Sequence, residues 1–290
     1  MRESKDEKII DFLDKYEYSE SLSIFFSLRR DCKGVVDPPI VLEHQIQRND
    51  GSRSLIQGKL GKQRSQVLND SNRRVDLEML VKDGELRKLK IPRSIPQKNI
   101  SSCIGYCLKG DILRVVSRRI EERYSNLDHQ APGCDPSCLF NSENRGLVVK
   151  EISKLIREVV FDEFKTISVN KRHLLDSLDL AANHWKTEFK QCREHMKQLN
   201  GDLLLNFLIK FGVLRRDASD LHTLIFTTPS MGLFIEFLES GNKVIVSSIK
   251  RNKYKELFED KLYSLRLGKS QLPTDFHLRD LSGTGIIKRV

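Results

Sequence analysis

The sequence lacks any apolar run that approaches the roughly 20 residues needed for a membrane-spanning helix, which excludes a transmembrane protein. The N-terminal segment, MRESKDEKIIDF, is acidic and mixed, without a basic stretch followed by an apolar core, so a secretory signal is not expected. We therefore expect a soluble intracellular protein. In that environment the six cysteines are better read as thiols or metal ligands than as disulfides.

Strand-forming patterns are also scarce, and no alternation of strands and helices of the βαβ type is visible. This argues against the nucleotide-binding α/β folds. Apolar residues still make up 39% of the 290 residues, which is enough for real hydrophobic cores. At about 100–200 residues per domain, the length predicts two domains or three small ones.

Basic residues outnumber acidic ones by 50 to 40, and the excess is unevenly distributed. Residues 1–52 carry a net charge of −3, residues 53–123 carry +9, and residues 243–290 carry +6. Clustered lysines and arginines attract polyanions, and each neutralised phosphate releases counterions. Such clusters also suit acidic proteins, anionic lipids or a simply solvated surface, so charge alone leaves the partner open.

Apolar periodicity and capping residues predict the elements of the first half. They are helices at 20–30, from about Pro39, at 72–83 and at 109–124, with hairpin strands at 85–91 and 100–108. Gly84 is placed to end the third helix in a left-handed conformation. Residues 125–146 have no periodic apolar pattern and are expected to be a linker or long loop.

The second half is predicted in the same way. Helices are expected at 147–164, from Ser168 to about Leu180, at 185–199, 202–211, 231–239, 244–265 and 274–282. A hairpin with a polar turn is expected between Val213 and Thr227, where β-forming residues flank Arg215-Arg216-Asp217. Trp185 is interpreted as a core anchor.

One unit recurs along the chain: short helices, a glycine, and then a strand with its antiparallel partner. The junctions are DLEMLVKDGELRKLKI, LLLNFLIKFGVLRRD and, as a partial copy, FHLRDLSGTGIIKRV. This is the order of a winged helix, in which one helix can enter the major groove and the hairpin can reach phosphates. Winged helices also serve as protein-interaction modules, and helices in this order can simply pack.

The predicted fold class is therefore mainly α with small β-hairpins (α+β), arranged as tandem winged-helix domains. The predicted boundaries are an N-terminal tail at 1–19, winged helices at 20–124 and 147–240, a linker at 125–146, and a third winged helix at 241–290. Because the chain stops at Val290, the completeness of the third wing is left open.

Several of these segments resemble the serine/threonine-protein kinase 19 family, also called winged helix repair factor. In the first half, PPIVLEHQI is followed by Leu77 and Leu80 and then by GELR at 84–87. The second half resembles the family more closely, in the order GVLRRD, PSMGLFIEF, KRNKYKEL and FHLRDL. The chain departs from the family in an extra segment near 183–200 and a cysteine-containing insertion near 134–138.

The resemblance implies three tandem winged helices that bind DNA in the nucleus and support transcription-coupled nucleotide excision repair. The family's older name implies a kinase, but the parts of a kinase site are not found in this sequence. The GxG at Gly283 lies at the end of the chain, and no DFG or APE motif occurs. His277-Leu-Arg-Asp280 resembles a catalytic-loop HRD with an inserted leucine, but it lacks the downstream Asn. We therefore expect no enzymatic activity.

Two C-x3-C pairs are candidate zinc ligands: Cys103 with Cys107, and Cys134 with Cys138. Four thiolates can bind zinc tetrahedrally, but the usual tight knuckle has C-x2-C spacing. The first pair is expected in a strand, so buried thiols and a variable loop are the preferred interpretation. Whether the four bind metal is left open, and no cofactor is expected.

Basic side chains of the three units are the candidate DNA-binding residues. They are Arg73, Arg74, Arg87, Lys88 and Lys90 in the first, Arg215 and Arg216 in the second, and Lys250, Arg251, Lys253 and Lys255 in the third. The expected partner is double-stranded DNA, contacted mainly at phosphates, with transcription or repair proteins as further partners and no membrane or small-molecule substrate. A protein-interaction scaffold is the alternative function, and a kinase the remote one.

Overall fold

The computed structural model describes residues 20–47, 77–97, 100–125, 145–188 and 199–288. The helices are α1 (Glu20–Cys32), α2 (Glu43–Gln47), α3 (Lys109–Ser125), α4 (Arg145–Leu155), a π-helix (Ile156–Glu163), α5 (Lys171–Glu188), α6 (Gly201–Lys210), α7 (Met231–Arg251), α8 (Glu259–Tyr263) and α9 (Thr274–Gly283). Residues 77–82 are also helical. The strands are β1 (Val41–Leu42), β2 (Leu86–Gln97), β3 (Ile100–Leu108), β4 (Ser168–Asn170), β5 (Leu214–Arg216) and β6 (Thr223–Phe226).

The predicted fold class, mainly helical with small antiparallel sheets, is confirmed. Both sheets have three strands and the same connection pattern, with the orders β1-β3-β2 and β4-β6-β5. In each, a short strand that precedes two helical segments pairs with the last strand of the following hairpin. The register places Val41 opposite Tyr106 and Val169 opposite Leu224.

Three glycines that follow helices in the recurring unit adopt the same left-handed backbone conformation. Gly84, Gly212 and Gly285 each have a φ of +75°. This conformation is strained for residues with a Cβ, and it lets the chain leave a helix sharply. The sequence prediction for Gly84 is therefore confirmed.

The chain divides into two compact units, each with its own core. Unit 1 lies within residues 1–82, 91–106 and 233–290, and unit 2 comprises 83–90 and 107–232. In unit 1, Phe234 meets Phe276 edge-to-face, with ring centroids 6.1 Å apart. In unit 2, α5 packs against α6, and Trp185 is buried, in agreement with its predicted core position.

Two predicted helices begin later than expected, because each is preceded by a short strand. A helix was expected from about Pro39, but β1 occupies Val41–Leu42 and the helix starts at Glu43. Likewise, β4 occupies Ser168–Asn170, where a helix was predicted to start. Strands of two or three residues are too short to show alternation, so pairing with distant strands decides them.

Two other helix predictions were also wrong in detail. The segments 231–239 and 244–265 were expected as separate helices, but α7 runs without a break from Met231 to Arg251. Gly241 lies inside it, where an added Cβ would be 2.3 Å from the His277 ring, so close packing accounts for this glycine. The predicted helix 147–164 changes at Ile156 from α to π geometry. Predictions at 48–76, 126–144 and 189–198 lie outside the described residues.

Candidate functional site

Four exposed cations, which we call the 250–255 cluster, lie where α7 ends in unit 1. They are Lys250, Arg251, Lys253 and Lys255. The first two belong to the last turn of the helix, where positive charge interacts favourably with the helix dipole. The other two lie in the following turn, rather than on the helix as the sequence predicted.

That turn is held by local hydrogen bonds. The Lys255 amide donates to the Asn252 carbonyl over 3.0 Å, and the Asn252 side chain donates to the carbonyl of Glu256. Lys255 adopts the left-handed backbone conformation, with a φ of +53°. The cluster therefore projects from a hydrogen-bonded turn.

Unit 2 holds a second set of cations on its two hairpin segments. Lys90 and Arg216 are exposed, whereas Lys88 and Arg215 are half-buried. The pKa of Asp217 is lowered, first by hydrogen bonds from the Ser219 backbone and hydroxyl, and then by the charges of Lys90 and Arg215. These two cations, which are 125 positions apart in the chain, therefore act on the same carboxylate.

Arg87, which was also predicted to contact DNA, has a different environment from these exposed or half-buried cations. Its side chain is buried, and its guanidinium lies 3.5 Å from the centre of the Phe226 ring. It donates to the carbonyls of Val160 over 2.6 Å and Thr166 over 2.5 Å, and also to that of Phe164. Burial lowers its pKa to about 9.

These contacts give Arg87 a structural role, because its positive charge caps the negative end of the π-helix. All the described contacts of the Arg87 guanidinium are with the interior of unit 2, so this residue is not part of the exposed cationic surface. Arg73 and Arg74 lie outside the described residues, so their positions stay predictions.

The HLRD segment at 277–280 forms a buried polar network in unit 1, which we call the Asp280 network. Asp280 is fully buried, and each of its carboxylate oxygens accepts two hydrogen bonds. Oδ1 accepts from His44 Nε2 over 2.6 Å and from Arg93. Oδ2 accepts from Arg93 over 2.8 Å and from Asn242 Nδ2 over 2.5 Å.

His277 extends the same network. Its Nδ1 lies 2.9 Å from Asn242 Oδ1, and its Nε2 lies 2.8 Å from Ser270 Oγ. The helix α9, which carries both His277 and Asp280, is thereby tied to α7, to α2 and to β2. The sequence did not predict this buried network. Its one signal in the sequence was the HLRD motif, which was compared only with a kinase catalytic loop.

The electrostatics of this network stabilise a charged Asp280 and a neutral His277. Burial raises the pKa of Asp280, but hydrogen bonds and charge from His44 and Arg93 outweigh it and hold the pKa well below its usual range. Burial lowers the pKa of His277 to about 4. A carboxylate with all four acceptor positions occupied and no exposure is a bracing group rather than a proton acceptor for a substrate.

The first cysteine pair lies on β3, as expected. Cys103 accepts a hydrogen bond from Arg93 Nε over 3.2 Å, and burial raises its pKa. Cys107 is buried. Within the part of the chain that the structure describes, no group of three or more His, Cys, Asp or Glu side chains is arranged to hold a metal ion. Cys134 and Cys138 lie outside it.

A groove that the sequence did not predict borders the 250–255 cluster in unit 1. It has a volume of about 720 Å³ and a floor that includes Ile249, Leu257, Leu262 and Leu278. Tyr254 and Phe258 line it and are 73% and 79% exposed. Its signal in the sequence is the YKELF segment, which interleaves aromatic residues with charged ones.

Across the described residues, no helix is both long and apolar enough to span a membrane.

Comparison with known proteins now places these features in a family. A family model described as inactive serine-threonine protein kinase 19 matches residues 62–289. Winged helix repair factor 1 from Dictyostelium discoideum is 24% identical over 229 residues, which cover 76% of this chain. The chain spans about half (52%) of the length of that relative. Because the family model matches well over half of its residues, the chain belongs to the inactive serine-threonine protein kinase 19 family.

Proposed function

We propose that this chain is a non-catalytic, nuclear DNA-binding protein built from tandem winged-helix domains. It contacts double-stranded DNA mainly through phosphates, with little sequence preference, and it supports transcription-coupled nucleotide excision repair. The observation that carries the proposal is the exposed 250–255 cluster, whose six residues include four cations and no acidic side chain.

The shared strand order of the two sheets supports the winged-helix part of the proposal. A winged helix places a short strand after its first helix and pairs it with the distal strand of the wing. β1 and β4 hold that position in the two sheets. We propose that α7, α8 and α9 are the helices of a third such domain, with Gly285 at the start of its wing.

The surface cations support phosphate contact rather than base readout. Lysine and arginine side chains with exposed heads are accessible to a phosphate oxygen. Lys90, Arg216 and the 250–255 cluster are exposed in this way. Contacts of this kind determine affinity and position but carry little sequence information.

The repair role and the nuclear location are proposed from the similarity to a protein named as a winged helix repair factor. The lack of catalysis is supported by the family description and by the burial of Asp280, the residue that stands where a kinase-like HRD would carry its base. A buried, fully bonded carboxylate cannot accept a proton from a substrate hydroxyl.

The test is the affinity of the full chain for a fluorescent duplex as a function of salt concentration. The logarithm of affinity should fall linearly with the logarithm of salt, with a slope of about −0.9 per phosphate contact. Charge reversal of Lys250, Arg251 and Lys253 to Glu should reduce affinity for every duplex sequence to about the same extent.

A matched control separates a local contact from net charge. Reversing the exposed Lys150, Lys154 and Lys243 to Glu also lowers the formal charge from +10 to +4, since each change removes two units. The control should retain more affinity than the 250–253 variant. Equal losses in both variants, or affinity that does not depend on salt, would reject phosphate contact by this cluster. Partner capture that survives nuclease and the 250–253 reversal would favour the scaffold alternative.

A further inference from the structure

Two aromatic rings project beside the 250–255 cluster without being packed. Tyr254 and Phe258 are 73% and 79% exposed, and both line the groove described above. The Lys253 ammonium lies 5.6 Å from the centre of the Tyr254 ring. The core of this part of unit 1 is formed instead by Ile245, Leu262, Leu267, Leu278 and Leu281. The two rings are therefore not needed to fill that core.

The charge around the groove favours an anionic occupant. Lys255 of the 250–255 cluster lines the groove together with Lys261 and Lys288, against Glu256 and Glu259, and the other three cations of the cluster lie within five residues of Lys255 in the chain. A groove that combines cations for a backbone with aromatic faces for bases is the usual arrangement for binding single-stranded nucleic acid. Cations close to an aromatic ring add to the attraction for a stacked base.

The geometry of the rings distinguishes among anionic partners. Bases of a continuous duplex are stacked on one another, so their faces are not available to Tyr254 or Phe258. An acidic peptide with apolar anchors is the competing occupant, and it would place its anchors on the apolar groove floor rather than on the exposed ring faces. Unpaired bases offer the flat apolar faces that such rings can stack on.

We propose that Tyr254 and Phe258 stack on unpaired bases of single-stranded DNA while the 250–255 cluster neutralises the adjacent phosphates. This inference rests on the proposed DNA-binding function and refines it, because it assigns this surface of unit 1 to DNA that contains unpaired nucleotides. The preferred ligand would then be a junction of duplex and single strand, rather than a continuous duplex.

The experiment compares two fluorescent ligands, an oligo(dT) strand and a continuous duplex of equal length, with the full chain. Replacing Tyr254 and Phe258 together by Ala should weaken oligo(dT) binding by about tenfold or more, because each stacked base contributes substantially. Duplex affinity should change by less than about twofold, since phosphate contacts remain. Tyr254→Phe should retain oligo(dT) binding, because the ring face is preserved.

Leu180→Ala is the matched control, since Leu180 is also 73% exposed but lies in unit 2. It should leave both affinities unchanged. A second measurement uses oligo(dT) containing 2-aminopurine, whose fluorescence is quenched when the base stacks. Quenching should appear with the wild-type chain and be lost in the double Ala variant.

The outcomes separate this inference from the proposed function. Duplex binding with normal salt dependence, but oligo(dT) binding that ignores the ring substitutions, would overturn the stacking proposal alone. If the chain bound neither oligo(dT) nor the duplex, the proposed DNA-binding function would be overturned as well. Equal loss of both affinities in the ring variant would also refute base stacking. Competition by an acidic peptide, without ring-dependent quenching, would assign the groove to a protein partner.

Discussion

The Asp280 network makes a strong prediction for the stability of unit 1. Asp280→Ala leaves the Arg93 guanidinium, whose side chain is only 7% exposed, without its carboxylate partner. Removing one member of a buried ion pair costs about 3–5 kcal/mol, because the remaining charge stays desolvated. Asn242 and His44 each lose an acceptor as well, at about 1 kcal/mol per hydrogen bond. The free energy of unfolding should therefore fall by about 5–7 kcal/mol.

The assay is urea unfolding of the full chain followed by far-UV circular dichroism. Fluorescence of Trp185, the single tryptophan, reports on unit 2 and provides a separate signal. The double variant Arg93→Met with Asp280→Ala should be less destabilised than the sum of the two single changes, because no buried charge is left unpaired.

The control is an exposed ion pair in the same unit. Lys269 Nζ and Glu236 Oε1 are 3.0 Å apart, with side chains that are 79% and 50% exposed. Pairs of this kind contribute about 0–1 kcal/mol, so Glu236→Ala should change stability little. If Asp280→Ala were no more damaging than Glu236→Ala, the network would not be the bracing element described above.

Three further predictions concern the buried Arg87, the exposed Lys90 and the buried His277. Arg87→Ala should destabilise unit 2 by about 3 kcal/mol, since two buried carbonyls and a third, partly buried one lose their donor, yet it should leave the salt slope of DNA binding unchanged. Lys90→Ala should instead keep stability and make the slope less steep by about 1. The pKa of His277 is about 4 in the folded chain and 6.5 when unfolded, so the unfolded state binds more protons between these values. The contribution of neutral His277 to the free energy of unfolding should thus be fully present above pH 6.5, and the free energy should fall by about 3 kcal/mol as the pH is lowered towards 4. The His277→Gln variant should not show this loss when unfolding is measured as a function of pH. The contribution of Asp280 is lost only below about pH 3.8, because its folded pKa is lowered.

The sequence alone determined the features that depend on local interactions. The mainly helical α+β class, strand β3 at 100–108 and the left-handed glycine at 84 were predicted correctly. Helix periodicity, glycine conformation and β-propensity act over a few residues and can be read directly from them. The winged-helix boundaries and the DNA-contacting residues remain predictions.

Tertiary structure decided what depends on distant partners. β1 and β4 form because they pair with β3 and β6. Segments of two or three residues are too short for an alternating pattern that would predict a strand from the sequence. Arg87 and Lys90 look equivalent in the sequence, but Phe226 and carbonyls more than 70 positions away bury only the first. The HLRD motif likewise became a brace through Arg93, His44 and Asn242. Burial and hydrogen-bond partnership belong to the folded chain, so a charged residue acquires its role only when packing selects its neighbours.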